Sequence, residues 1–457
     1  MKVISFFAGC GGLDLGFEQA GFDVVWANEF DKSIHDTYKA NHPLTTINGK
    51  DIRNLSSADI PDCDGFIGGP PCQSWSVAGK MLGLSDERGH VFLDYIRLIK
   101  EKQPKFFLIE NVAGIVSDCH FSTFRGFLSD LCTAGYNVKY TLINAADFGV
   151  SQERLRVFVV GFRKDIECNY VFPLPNLKNR CCLIDAIGDI SIPPKPYIDG
   201  QRIKENKELA NHDYYNGSFD NKYMSRNRVR GWKEVSFTIP ASAKNVPLHP
   251  NAPKMIYLDT NCRCFVPDSK EKYRRLSIRE CARIQSFPDD FLFYYNEIKD
   301  GYKMVGNAVP PKLAKLFAES IKLAFETQYE EFSKQKYKKA LVGYYKNNDH
   351  LECILKNKLY YVRFDSRTGS FQFPKGSSSP DILLLHHGAE LHAYQLKRIE
   401  PIIRTSKELQ VLGFNPCGEI YLCFLLDGTN EINIDKIPIN NLSNNQFAPF
   451  VIQIEQF

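Results

Sequence analysis

The chain has 457 residues, 44% of them hydrophobic and 24% charged, with a formal net charge of +4. That is ordinary globular composition, enough for two or three domains, and no apolar run approaches the ~18 residues of a membrane span. The small net charge does not by itself demand nucleic acid, so any such case rests on local clusters.

The first residues, Met1-Lys2-Val3-Ile4-Ser5-Phe6-Phe7-Ala8, run straight into a glycine-rich turn. They lack the longer apolar region and small-residue cleavage site of a secretion signal, so a cytoplasmic location is expected. The 14 cysteines show neither a disulfide framework nor a Cys-x-x-Cys zinc spacing. Free thiols are expected, and no structural metal in the first 330 residues.

From residue 1 to about 165, strand-like runs at 3–7, 24–27, 65–67, 106–109, 139–143 and 157–160 alternate with helix-like runs at 34–40, 91–102 and 121–134. The alternation predicts an α/β fold with a mostly parallel, doubly wound sheet, its last two strands forming an antiparallel hairpin. Near Phe172-Pro-Leu-Pro-Asn176 the pattern breaks. Residues 177–270 are rich in Asn, Pro, Lys and Arg with little periodicity. Helical character returns at 277–285 and 311–322, and a polar stretch then leads into a strand-rich third region.

Chemistry-bearing residues cluster where the strands end. Phe7-Ala-Gly9-Cys-Gly11-Gly-Leu13-Asp-Leu-Gly16 follows the first strand and opens a helix. Glycines there let the backbone approach a ligand, and a helix N-terminus favours negative groups. Glu29 closes the second strand about 20 residues on, where an acid commonly binds ribose hydroxyls. Gly69-Pro70-Pro71-Cys72-Gln-Ser follows the third run and holds a thiol on a stiff loop. The bland alternative is a buried cysteine beside a turn. Glu110 and Asn111 end the next strand, and all three groups fall at the carboxyl edge of the sheet, where ligands bind in such folds. Gln152-Glu-Arg154-Leu-Arg156 precedes the last strand; if extended, Gln152, Arg154 and Arg156 share one face, suiting an anion or a carbonyl oxygen.

These blocks, with 274–288 and 301–310, occur in an order and spacing that resemble the bacterial DNA cytosine-5 methyltransferases of restriction-modification systems. The resemblance covers about residues 1–325. It implies a Rossmann-like S-adenosylmethionine-dependent catalytic domain over 1–176 and 271–329, and a smaller, irregular target-recognition domain over 177–270. Cys72 is then the nucleophile toward carbon 6 of cytosine, Glu110 the group that meets the ring nitrogen and exocyclic amine, and Arg156 the partner of the base carbonyl. Arg154 would support the nucleophile or nearby phosphates. The methyl donor is S-adenosylmethionine, held by Phe7, Gly9, Gly11, Leu13, Glu29, Phe30, Asp51, Ile52, Pro71 and Asn307. Lys50 stands where many relatives have glycine, so that loop should differ.

The partner implied is double-stranded DNA, with the target base flipped out of the helix. Ser76 and Arg88 flank a stretch expected to close over the DNA. Arg226, Arg228 and Arg230, in Ser225-Arg-Asn-Arg-Val-Arg-Gly-Trp232, are candidate readers of base edges or phosphates. That run resembles relatives that read short GC-rich palindromes such as GGCC or GGNCC. The resemblance further implies a bacterial, cytoplasmic monomer without a membrane partner, paired functionally rather than physically with a cognate endonuclease.

Residues 337–457 lie beyond that pattern and are expected to form a C-terminal α+β domain. Strands at 382–386, 391–397 and 419–426, with a helix-like run at 402–412, resemble the PD-(D/E)xK nuclease core. Asp381, Gln395 and Lys397 would be its motif, glutamine replacing the second acid; the preferred expectation is a DNA-binding or scaffolding appendage, and the alternative a bifunctional methylating and cleaving enzyme.

Overall fold

The computed structural model describes residues 1–71, 87–117, 120–166, 168, 170–175, 180–198, 209–326, 337–344, 347–364, 382–387, 390–396, 402–414, 420–431 and 450–455. Two compact units divide the chain: Met1–Ile115 with Phe124–Gln328, and Val116–Thr123 with Tyr329–Phe457.

In the first unit β1 (Lys2–Phe6), β2 (Asp23–Asn28), β3 (Thr46–Asn48), β4 (Gly65–Gly68), β5 (Phe106–Val112), β6 (Tyr136–Asn144) and β7 (Leu155–Arg163) form one sheet in the order β3-β2-β1-β4-β5-β7-β6. All pairings up to β5 are parallel, and β7 runs antiparallel to both its neighbours. The long apolar runs read from the sequence are the central strands, buried on both faces as parallel strands must be. The strand order reverses between β1 and β4, which opens a crevice at their carboxyl ends.

Glycines let aromatic rings lie across the strands. A Cβ at Gly65 would fall 2.2 Å from the Phe106 ring, and one at Gly161 2.2 Å from the Phe107 ring, each the cross-strand neighbour. Helix α1 (Gly12–Gln19) packs on α8 (Pro311–Glu326) through a similar contact: a Cβ at Gly16 would sit 2.4 Å from the Ala314 Cβ and 2.6 Å from the Pro311 carbonyl oxygen. Phe317 of α8 stacks on Phe158 of β7 with ring centroids 4.1 Å apart. Phe17, Leu108, Leu313 and Ile321 complete this core.

The helical runs appear as α2 (His35–Asn41), α3 (Glu87–Lys102), α4 (Phe121–Thr133) and α6 (Ile278–Ile284), the last closed by a capping box between Ser277 and Glu280. The polar stretch before α6 belongs to the first unit. It holds α5 (Leu183–Ile187), the paired β8 (Lys195–Pro196) and β9 (Asp213–Tyr214), and the ribbon β10 (Ile256–Asp259) and β11 (Cys262–Cys264). Tyr223, Val229, Leu248, Met255 and Tyr273 form its own core. Arg275, 2% exposed, lies 4.1 Å from the Phe219 ring centroid and donates to the carbonyls of Gly217 and Ser218.

Several elements depart from the sequence reading. β3 and α7 (Ile298–Asn307) were not expected, and β2 stops at Asn28, so Glu29 lies just past its end. β7 begins at Leu155, which puts Gln152 and Arg154 outside the strand rather than in one extended row with Arg156.

In the second unit the strand order is β13 (Leu359–Phe364), β17 (Ile420–Glu431), β15 (Glu390–Leu396), β14 (Ile382–His387), β12 (Tyr337–Tyr344), β18 (Phe450–Glu455). The run at 402–412 is not one helix. Its β-branched start forms β16 (Ile402–Thr405), which pairs with β17, and only Ser406–Val411 is helical, as α10. Helix α9 (Asn348–Asn357) was likewise unexpected. Among the described residues no helix is long and apolar enough to cross a membrane.

Gly16→Ala should therefore destabilise the first unit by about 1–3 kcal/mol despite alanine's better helix propensity, because backbone rather than a yielding side chain stands in the way. A urea titration should show a lower midpoint with an unchanged slope.

Candidate active site

The turn after β1 is set by backbone conformation. Phe7, Gly9 and Gly11 all have positive φ, at 53°, 55° and 90°. Phenylalanine rarely adopts such a value, and strained residues of this kind gather at ligand sites. Glu29 pins the turn: its carboxylate accepts from the Gly9 amide at 2.9 Å and the Asp31 amide at 2.8 Å. Burial pushes the Glu29 carboxyl above its ordinary pKa, and these two amides pull it back. A Cβ at Gly9 would meet nothing within 4 Å, so the turn opens onto free space beside the acid. Phe30 next to it is 66% exposed.

The other cofactor candidates fall into two groups. Asp51 caps the short turn Ile52–Asn54 and holds the Arg53 guanidinium through both oxygens, while Ile52 is 3% exposed. The Asn28 amide fixes the approach to this turn by donating to the carbonyls of Asn48 and Lys50, and Lys50 itself reaches Asp59 at 2.8 Å. Leu13, by contrast, is buried in the hydrophobic core. Asn307 is exposed at the end of α7. The segment around it packs onto the first turn: Cys10 Sγ donates to the Met304 carbonyl at 3.6 Å, and a Cβ at Gly12 would fall 2.6 Å from the Val309 carbonyl oxygen.

Beneath the turn lies a polar cluster not anticipated from the sequence. Asp14, fully buried, accepts from Ser5 Oγ and Tyr38 Oη, each at 2.6 Å. His42 stacks on Tyr38 and contacts Glu18 at 3.0 Å, and its Nε2 would lie 2.0 Å from a Cβ on Gly11. Burial pushes the Asp14 carboxyl up. Burial opposes a charged ring at His42 too, yet Glu18 and Asp14 raise its pKa above the ordinary value. The sequence signal was an acid set in the apolar stretch Leu13-Asp14-Leu15-Gly16-Phe17.

Across the crevice, β4 runs into the Gly-Pro-Pro loop. Asn111 Nδ2 donates to the Pro70 carbonyl at 3.4 Å, and a Cβ at Gly69 would fall 3.2 Å from Glu110 Oε2. Glu110 is therefore pressed against the loop that leads through Pro71 to Cys72. Cys72 and Ser76 lie outside the described residues, and of Arg88 only the backbone, in α3, is described. Glu110 is 8% exposed, and Arg156 Nε stands 2.8 Å from its Oε1. Their strand positions are diagonal across β5 and β7, the geometry that lets long side chains on one face meet. Arg154, 1% exposed just before β7, donates its backbone amide to Asn144 Oδ1 at 3.1 Å.

The three candidate arginines of the recognition run differ in setting. Arg226 is exposed. Arg228 is 6% exposed, donates to the carbonyls of Tyr223 and Lys222, and covers the Tyr223 ring at 4.6 Å. Arg230 pairs with Glu153 at 2.8 Å and Glu234 at 3.5 Å. Trp232 packs edge-on against His249, whose Nδ1 accepts from the Asn251 amide. Burial drops the His249 pKa to about 4, against the opposing pull of Glu280, 3.6 Å away.

The sequence pattern of C-5 cytosine-specific DNA methylases matches residues 1–323. The chain belongs to this family. It is 53% identical over 327 residues to the Type II methyltransferase M.MthTI of Methanothermobacter thermautotrophicus, covering 71% of this chain and 98% of that protein. It is 49% identical over 344 residues to M.FnuDI of Fusobacterium nucleatum, covering 75% and 99%. A DNA modification methyltransferase encoded within a prophage of E. coli shares the fold with a TM-score of 0.56 at 23% identity, over 71% of this chain and 99% of that one. A methyltransferase of Entamoeba histolytica does so at 0.52 and 17%, over 72% and 99%.

This DNA methylase is thus a DNA (cytosine-5-)-methyltransferase with a Rossmann-like catalytic sheet. The family match ends at residue 323 and gives no support to a nuclease in the C-terminal unit. Asp381 and Lys397 lie outside the described residues; Gln395 is on β15, opposite Ile382, with only its backbone described.

The neutral His249 has a pH consequence. In the unfolded chain its pKa returns to about 6.5, so below that pH the unfolded state takes a proton that the folded state refuses until about 4. Folding stability should fall across pH 6.5 to 4, with a His249 share on the order of 3 kcal/mol. Urea midpoints measured across that window should decline less steeply in His249→Gln.

Proposed function

We propose that this methylase transfers a methyl group from S-adenosylmethionine to carbon 5 of a cytosine flipped out of a short, specific duplex site. The observation that carries the reading is convergence at the β1/β4 crevice. A glycine turn pinned by a carboxylate lies on one side, and a stiff loop against a second carboxylate, with an arginine in contact, lies on the other.

The residues present fit the methyl donor. Gly9 opens onto free space, both Glu29 oxygens keep lone pairs beyond their amide contacts, and exposed Phe30 offers a ring face beside them. Glu29 would take the ribose hydroxyls, with Asp51, Ile52, Phe30 and the turn at Phe7, Gly9 and Gly11 completing the site, and Pro71 and Asn307 at its edge. S-Adenosylmethionine supplies an electrophilic methyl group on a sulfonium.

Carbon 5 of cytosine is a poor nucleophile. In this reading Cys72, as thiolate, bonds to carbon 6 and makes carbon 5 enamine-like. Protonated Glu110 donates to the ring nitrogen and offsets the charge that the attack builds. Arg156, beside Glu110, holds the base carbonyl. After methylation, loss of the carbon 5 proton and expulsion of Cys72 restore the aromatic ring. Extruding the base costs a few kcal/mol, which contacts from the recognition region offset. With Type II methyltransferases as relatives, the enzyme fits the modification half of a restriction-modification system, acting as a monomer alongside a separate endonuclease.

Tritiated methyl transfer to DNA should disappear in Cys72→Ser, while retained transfer would remove Cys72 from the mechanism. Glu29→Ala should raise KM for S-adenosylmethionine at least tenfold, with KM for DNA little changed. Arg226→Ala should relax the site at one base, at a cost of about 1–3 kcal/mol in discrimination; bisulfite sequencing of DNA from expressing cells reads this directly. A uniform loss across all sites would instead mark a phosphate contact.

A further inference from the structure

The recognition run and the arginine segment before β7 are tied together, although they are about 75 residues apart in sequence. The Ser236 amide donates to the Ser151 carbonyl at 3.0 Å, and the Glu153 amide donates to the Ser236 carbonyl at 2.9 Å. Gln152, wholly buried, accepts from the Ile239 amide at 2.9 Å, and Thr238 Oγ1 donates to the Glu153 carbonyl. These contacts are nearly all to backbone and fix where the two segments lie.

One side-chain contact reaches further, into the recognition run itself. Arg230 Nη2 donates to Glu153 Oε2 at 2.8 Å, and its guanidinium lies 4.2 Å from the Phe237 ring centroid. Glu234 approaches its other nitrogen at 3.5 Å. Two carboxylates and an aromatic face thus occupy a cation that a phosphate would otherwise take. Arg230 lies four residues after exposed Arg226. Glu153 adjoins Arg154 and lies three residues before Arg156, the partner of Glu110.

We propose that the Arg230–Glu153 pair is a positioning strut that couples reading of the DNA site to placement of Arg154 and Arg156, so that Arg230 serves the rate of methyl transfer rather than the hold on DNA. A recognition run seated on the correct bases keeps the strut in register, and the segment 152–156 then holds Arg156 where the base carbonyl arrives. A wrong base shifts the run, and the displacement reaches Arg156 through Glu153. The inference rests on the methyl-transfer reading above.

The pair is partly exposed, and such pairs add little to folding stability. Arg230→Gln and Glu153→Gln should therefore leave the thermal midpoint nearly unchanged. The test uses the full chain and a duplex oligonucleotide carrying the site that bisulfite sequencing assigns to the wild type, with one-base variants of it. Each substitution should lower the single-turnover methyl-transfer rate on the correct site at least tenfold while changing DNA affinity less than threefold. The ratio of rates between correct and one-base-variant sites should narrow. The exchanged double variant, Glu153→Arg with Arg230→Glu, should recover part of the rate lost by either charge reversal alone. Loss of affinity on every sequence, with a shallower salt dependence and an unchanged rate, would make Arg230 a phosphate contact and overturn the strut. An unchanged rate in Glu153→Gln would overturn it as well. A wild type that modifies no cytosine would sink the methyl-transfer reading, and the strut with it.

Discussion

Helix α1 has no room for side chains at Gly12 and Gly16, and the rest of the first unit depends on that fact. The atoms that fill the space come from Phe287 and from residues 308–315, almost three hundred positions later in the chain. Close approach there lets α8 complete the core over the sheet, and brings the Met304 carbonyl onto Cys10 in the glycine turn. The turn is thus clamped from two sides, by Met304 of α7 and Val309 just after it and by Glu29 just past the end of β2. A loop that must hold residues at positive φ needs such over-determination, since each costs about 1–3 kcal/mol when the residue is not glycine.

From that clamp the chemistry follows by topology. The strand order reverses between β1 and β4, so the two loops that leave these parallel strands face each other across one crevice. β5 and β7 then place an acid and an arginine diagonally, with Arg156 Nε 2.8 Å from Glu110 Oε1. Polar groups fixed before substrate arrives need no reorganisation when charge develops, and this is the main way such sites lower a barrier.

How much of this could be read in the sequence depended on whether a residue's role is local. β1, β4 and β5 were legible because central parallel strands are long apolar runs. The positions of the glycine turn, Glu110 and Arg156 could be placed from the sequence because they lie at or near strand ends, where spacing carries the message; β5 runs on past Glu110 to Val112. Helix α7 was missed although it is ten residues long, and its Gly301 and Gly306 have poor helix propensity. Both are there for close packing, Gly301 against Ile278 and Tyr295, Gly306 against the Pro240–Ala241 backbone. β3 is only three residues long and half-exposed, too short to show a period. The unlike settings of Arg226, Arg228 and Arg230 were invisible for a similar reason: their alternation suggests one face, but Glu153 and the carbonyls of Lys222 and Tyr223 decide where each guanidinium goes.

The join between the β7–α6 stretch and the segment before β7 is written mostly in peptide groups. Ser151, Glu153 and Ser236 exchange amide and carbonyl contacts that any residue except proline could supply. Such a seam is indifferent to the side chains of the segment it receives. A gene encoding this chain could therefore exchange the stretch between β7 and α6 for one of different sequence and keep the same backbone docking. New specificities would arise by transplantation, and only the few side chains that cross the seam would need to be re-matched.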